Sequence, residues 1–564
     1  MDRKTIHSEA RTNALPGWKD CQWFAVVTAM GLGGCGGGGS SVDEVPLPPI
    51  TATSDVPESD EDAARFLTQA TFGTRSSDID LLNANGFTGW IQWQKILPSS
   101  LERPGLEAQD AAGADVYQQH RVYAWWRNAV AGHDQLRQRL AWALSQIFVV
   151  SDVAGALGND PIGMAEYYDV LVQNALGNYR DLLEDVTLSP VMGRYLSMLG
   201  NEKADPLHNI RPDENYAREV MQLFTIGLHE LNPDGSRALD GDGDPIPTYD
   251  QDTIENFARV FTGWNYADAD SWHWPDSNYR PMEPWLAYHD TDAKTLLGGV
   301  LLPANQTPAE DLTASLDNLF QHQNVGPFIG RMLIQRLVTS NPSSEYVGRV
   351  AAVFADDGTG ERGDLFEVAK AILLDEEARN GHADDPVNFG KLKEPLLRQT
   401  ALWRAFAAGS AIGTYQDGWP EGSWGQAPLR SPSVFNFYSP FYRPPGEMLD
   451  NGLFGPEFQI TTHTLITSGT NRLHDLVLWL NDSNSGLDGD DVYIRTAYER
   501  GLAADPVALV DHLDLLLMAG GMSAWMKDVV VDRVTHVSMS DGGYDRVTEA
   551  IYLIVTSPEG AVQR

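Results

Sequence analysis

Apolar residues recur at helical spacing along most of this chain. In EDAARFLTQATFG, Ala64, Phe66, Leu67 and Ala70 fall together and Gly73 follows, which predicts a helix stopped by glycine. From His133, HDQLRQRLAWALSQIFVV repeats Leu136, Leu140, Leu144, Ile147 and Phe148 on one side, while Arg137, Gln138 and Gln146 face elsewhere. MAEYYDVLVQNALG predicts a helix closed by Gly177, and NYRDLLEDVTLSPVMGRYLSMLG one or two short helices broken at Pro190. After residue 300 the pattern returns in PAEDLTASLDNLF, VGPFIGRMLIQRLVTS, SEYVGRVAAVF, RGDLFEVAKAILLDEEAR, GKLKEPLLRQTALWRAF and finally YDRVTEAIYLIVTSPE.

Runs of alternating strand type are few, and VVVDRVTHVSM fits a helix or a strand. The expected fold is therefore mainly α: a large multi-helix domain with long irregular, aromatic-rich insertions. The insertions fall between residues 230 and 300 and between 409 and 460, where Gly, Pro and Trp concentrate as in binding loops on a helical scaffold. No repeat of fixed period is present. The helical part is expected over residues 61–564, as one body or as two lobes, 61–300 and 301–564.

Composition narrows the function classes. A formal charge of -38 repels a polyanion, so nucleic acid is not an expected partner. The acids are spread along the chain, which reads first as a solvated surface, then as a calcium surface or a means of steering a cationic ligand. Both cysteines, Cys21 and Cys35, precede the helical part, which excludes disulfides and thiol chemistry from it. Basic residues ahead of CQWFAVVTAMGLGG give residues 1–35 the shape of an export signal. LGGC resembles the lipobox of bacterial lipoproteins, with Cys35 as the lipidated residue. GGGGSSVDEVPLPP then begins a flexible tether over residues 36–60. The expectation is an exported envelope protein, lipid-anchored at a periplasmic or outer membrane face, touching the membrane through that anchor only.

Short catalytic motifs give little. GTGERG satisfies G-x-G-x-x-G, but a helical stretch precedes it where a dinucleotide fold needs a strand, so it reads as a turn with Asp364 near the next helix start. Walker, zincin and nucleophile-elbow signatures are absent from the sequence. Asp240, Asp242 and Asp244 alternate as calcium ligands do. Pro245 in place of the turn glycine and Gln251 at position twelve exclude a standard EF-hand, leaving a looser calcium loop or a solvated acidic turn. Asp252 and Glu255 look like a capping box. In the aromatic insertion, Trp264, Trp272 and Trp274, with Tyr266 and Trp285, offer a stacking platform for a sugar or an aromatic ligand, or simply pack the loop. His273, His289 and Asp290 lie among them as candidate binding groups, open to a metal site, a general base or simple loop hydrogen bonding.

RPDENYAREVMQLFTIGLHE holds the richest polar set. Asp213 is the expected N-cap, Tyr216, Val220, Leu223 and Phe224 the apolar stripe, and Gly227 the end of the regular turns. Glu214 and Arg218 stand four apart, as helix stabilisation alone would place them. With Glu219, and with Glu184, Asp185 and Arg194 from adjacent helices, they could instead form a cluster of general acid or base and anion clamp.

These stretches together, with FARVFTGW and SPSVFNFYSPFY, resemble from about residue 61 onward the bacterial family known as domain of unknown function 1800. The resemblance implies an exported or envelope-associated, mainly helical protein and carries no established activity. It also implies, as a partner, an exported sulfatase-like protein from the same pathway. Many members begin with a histidine-containing H-L-L-x-R-A-x-F-G; here Arg65 to Gly73 contain no histidine. Three functions follow as expectations: an anchored protein that binds a partner or glycan, a carboxylate-dependent hydrolase of a polymer with or without calcium, and a surface structural component.

Overall fold

A computed structural model describes residues 55–153, 155–272, 279–482 and 484–564. Helices begin where a short polar side chain takes up the free N–H groups of a first turn. Ser59 accepts from the N–H of Asp62 and opens the Asp60–Ala70 helix. Thr307 and Glu310 form a reciprocal capping box ahead of Pro308–Phe320. Asp364 accepts from the N–H groups of Phe366 and Glu367, so GTGERG is the turn between helices Ser344–Ala355 and Leu365–Leu374. The ambiguous VVVDRVTHVSM lies largely in a helix, Ala524–Thr535.

The mainly helical expectation holds. Strands among the described residues are two-residue antiparallel pairs: Trp264–Asn265 with Glu283–Pro284, Lys294–Thr295 with Leu301–Leu302, and Lys391–Leu392 with Val562–Gln563.

Helix ends differ from the sequence pattern in three places, each for a local reason. The helix from His133 runs only over Gln135–Ser145, and its polar positions turn inward too. Gln138 donates to the carbonyl of Ser100 at 2.8 Å and Gln146 to the Glu394 carboxylate at 2.9 Å, because other segments cover that face. The helix of the RPDENY block starts at Asn215, since Asp213 caps the preceding turn by accepting from the Asn215 N–H. The next helix, Gln251–Val260, is capped by Asp250 on Thr253 N–H and not by Asp252 and Glu255.

Segments before and after residue 300 share one interior. Trp125 meets Phe72, Trp126 and Trp142 at ring-centroid distances of 5.5, 5.1 and 5.2 Å. Trp126 in turn meets Trp403 of the Pro395–Ala405 helix at 4.7 Å. These tilted and edge-on pairs suit ring quadrupoles and bury large apolar areas. Helix Gln135–Ser145 packs against Val325–Leu337, and Arg139 donates to the carbonyl of Arg336 at 2.6 Å.

The buried carboxylate of Glu394 completes this junction. One of its oxygens accepts from Trp142, Gln146 and Gln426 at 2.8–2.9 Å, binding three segments distant in sequence. Three donors on one oxygen replace much of the hydration that a buried carboxylate loses.

Candidate functional site

The polar residues singled out by sequence lie in separate places. Glu214 and Arg218 pair at 3.0 Å, with both side chains more than a third exposed, and Gln251 also donates to Glu214. Glu219 is buried on the same helix; burial raises its pKa, which Arg218 lowers in part, and Oε2 has no hydrogen-bond partner among the described residues. Glu184 pairs instead with Arg180 at 2.7 Å, and Asp185 accepts from Asn174 at 2.9 Å. No described ion pair links these two acids to the Glu214–Arg218 pair.

Asp240, Asp242 and Asp244 form the tip of an irregular hairpin. The Asp240 carboxylate accepts from the N–H groups of Asp242 and Asp244 at 2.9 and 3.0 Å, closing its own turn. Those hydrogen bonds hold its pKa below the ordinary value. Among the described residues no three His, Cys, Asp or Glu side chains gather as a metal site.

In the aromatic insertion Trp264 is buried in the core. Trp272 stacks on Tyr288 with centroids 3.9 Å apart and planes at 6°, so one ring face is already covered. His289 is fully buried: Nδ1 lies 2.8 Å from the carbonyl of Thr262 and Nε2 lies 3.0 Å from Asp311. Asp290 takes a two-pronged pair from Arg259, at 3.0 Å to each oxygen. His273, Trp274 and Cys35 lie outside the described residues.

A different place has the form of a binding site. A cavity of about 870 Å³ opens between the hairpin after residue 227, the Val325–Leu337 helix and the SPSVFNFYSPFY loop. That volume lies in the range of small-molecule pockets. Phe328, Arg331, Met332 and Arg336 project into it from one helix face, at the i, i+3, i+4, i+8 spacing that keeps residues together. Phe435, Phe441 and Phe454 supply further aromatic wall. Among the described residues no Asp or Glu lines it.

Its cations are arranged from floor to rim. Arg336 is buried, donating to the carbonyls of Met332 and Gln146 at 2.9 and 3.0 Å. Arg331 sits with its guanidinium carbon 5.6 and 5.4 Å from the ring centroids of Phe441 and Phe454. Arg443 lies 4.6 Å from the Phe454 centroid, and Arg237 stands exposed at the hairpin edge. Burial, then Arg237 and Arg443, lower the Arg331 pKa, the mark of like charges sharing one space. His229 also lines the cavity; burial and Arg237 hold its imidazole below the ordinary value.

The floor is tied to the core. Gln146 Oε1 accepts from Asn436 at 3.2 Å and from the Tyr438 hydroxyl at 2.9 Å, while its Nε2 donates to Glu394.

The chain matches the family described as Protein of unknown function (DUF1800) over residues 65–562. It belongs to that family. No curated protein and no solved structure matches the chain. Three of the stretches that carry the DUF1800 resemblance meet at this cavity, through Gln146, through Gln222 to Gly235, and through Val434 to Phe441; GKLKEPLLR adds Glu394 beneath the floor. Sequence reading missed the cavity because its arginines come from three distant segments. One signal was available: two arginines on the apolar helix VGPFIGRMLIQRL, where plain packing would place aliphatic residues.

Proposed function

We propose that this DUF1800 protein is an exported envelope protein, tethered through lipid on Cys35, that holds a small organic ligand in the aromatic-walled cavity. The cavity itself is the observation that carries the reading: a concave site of suitable volume, apolar walls and few converging polar groups. The ligand could be free or the exposed end of a glycan or partner, including a sulfatase-like partner. The hydrolase reading needs two opposed carboxylates across a cleft, and the lining of this cavity offers none. Among the described residues no helix is long and apolar enough to cross a membrane.

The test uses the neutral fluorescent dye phenylnaphthylamine. The wild-type protein is expected to bind it at one site. Leu228→Trp, at a half-exposed position of the lining, should narrow the mouth and weaken binding at unchanged melting temperature. A wild-type protein that leaves the dye in water would end the binding reading. Attachment at Cys35 is tested by metabolic labelling with palmitate, where Cys35→Ala should abolish incorporation.

A further inference from the structure

We propose that the cavity selects an organic oxyacid, its anionic head (carboxylate, phosphate or sulfate) held by Arg331, Arg443 and Arg237 and its apolar body by the phenylalanine walls. This rests on the cavity being a binding site and names what it binds.

The argument begins with charge pairing. The chain has 78 Asp and Glu against 40 Lys and Arg, so a guanidinium has acidic partners in excess. Many arginines took them: Arg121, Arg180, Arg259, Arg349 and Arg430 all hold carboxylates. Arg237, Arg331 and Arg443 do not. Among the described residues none of the three forms an ion pair or donates a hydrogen bond from its guanidinium. Arg331 is partly buried with Nε shielded from water and unpartnered. Three cations facing one cavity repel each other, and a folded chain gains nothing from that arrangement by itself. An oxyanion entering the cavity removes the repulsion and satisfies planar donors that match carboxylate, phosphate and sulfate geometry.

The walls add the second half of the selectivity. Phe441 and Phe454 meet edge-on at 5.8 Å and support Arg331 from one side. Arginine held against rings keeps its donor edges free for a ligand. The surrounding net charge of -38 repels anions in general, so only one that reaches the cationic lining is retained.

The experiment compares two dyes with the same ring system: anilinonaphthalene sulfonate and neutral phenylnaphthylamine. The wild-type protein is expected to bind the sulfonate at least about tenfold tighter, with the preference shrinking as salt rises. Arg331→Gln and, at the exposed rim, Arg443→Gln should erase most of that preference, read as the ratio of sulfonate to neutral-dye affinity within each variant. The rim variant guards against a folding defect at Arg331, and circular dichroism melts check both. Equal affinity for the two dyes, unmoved by either variant, would overturn the oxyacid inference and leave the cavity a neutral binding site. Failure to bind either dye would overturn the cavity reading itself.

Discussion

The side-chain amide of Asn324 donates to the backbone carbonyl of His229 at 2.8 Å, fastening the cavity hairpin to the start of the helix that carries Arg331. The same amide donates to the carbonyl of Ile226 at 2.8 Å, and its oxygen accepts from the N–H of Leu231 at 2.9 Å. One fully buried side chain therefore satisfies three backbone groups of a segment with almost no regular structure.

Asn324→Ala strips all three partners at once. Leaving buried backbone groups unsatisfied costs about 3 kcal/mol in total, allowing for partial relaxation. The loss should fall on the hairpin, so cleavage by trypsin after the exposed Arg237 is expected to quicken at least about tenfold. Cleavage at the wild-type rate would mean that the hairpin is held mainly by other contacts.

Gly235 sets the same hairpin close against the Ser344–Ala355 helix. Its φ is +75°, and an added Cβ would stand 2.8 Å from Val347 Cγ1. Gly235→Ala combines left-handed strain with a clash, a cost of about 1–3 kcal/mol. Neutral-dye affinity should fall in this variant, whereas Gly241→Ala, with open space around it and no positive φ, should change nothing.

Glu394→Gln tests the junction under the floor. A glutamine can turn its one oxygen toward Trp142, Gln146 and Gln426, but it loses the negative charge that strengthens those three hydrogen bonds and faces Lys391 at 3.9 Å. A loss of about 3 kcal/mol is expected, seen as a lower melting temperature. Since Gln146 also receives Asn436 and Tyr438, dye affinity should fall with it. A melting temperature equal to wild type would show that a neutral oxygen serves the three donors as well as the carboxylate.

The helices were legible because periodicity reports burial directly: Leu136, Leu140 and Leu144 all lie in the core at the spacing that predicted them. Their ends were less so, since Asp213 and Asp250 compete with neighbouring acids as caps and only the folded geometry chooses between them. The cavity was illegible for a deeper reason. Arg237, Arg331 and Arg443 acquire a shared environment only through folding, and no local spacing encodes it. Glu214 and Arg218 misled in the opposite sense: conspicuous on one helix, they meet mainly each other, Gln251 and solvent.

That distinction predicts unequal effects along one helix. Glu214→Gln breaks a pair that is more than a third exposed and should cost only a few tenths of a kcal/mol. Glu219→Gln removes a buried acid whose Oε2 has no partner and whose pKa burial raises. Its raised pKa means that ionisation at neutral pH opposes folding, so the variant should match or exceed wild-type melting temperature at pH 7. A marked drop for Glu219→Gln would reveal a stabilising partner for the charged form.

The clearest pH dependence is expected from Asp169. Its carboxylate accepts from the N–H groups of Glu102 and Arg103 at 2.7 and 2.9 Å, at the head of helix Arg103–Ala111. Burial outweighs those hydrogen bonds and pushes the acid from 3.8 up to about 7. Nearby Glu102, fully buried with neither carboxylate oxygen hydrogen-bonded among the described residues, is driven well above its usual range by burial as well. An acid with a raised folded-state pKa binds its proton more tightly in the fold than in the unfolded chain. Its contribution to stability is therefore full below about pH 4 and is lost as pH rises toward about 7. Each unit crossed is worth about 1.4 kcal/mol, so roughly 2 kcal/mol should disappear between about pH 5 and pH 7. Asp169→Asn cannot ionise and should flatten that slope, whatever its own effect on absolute stability. Melting temperatures of both proteins across this range give the comparison, and parallel profiles would place Asp169 among acids already ionised in the fold.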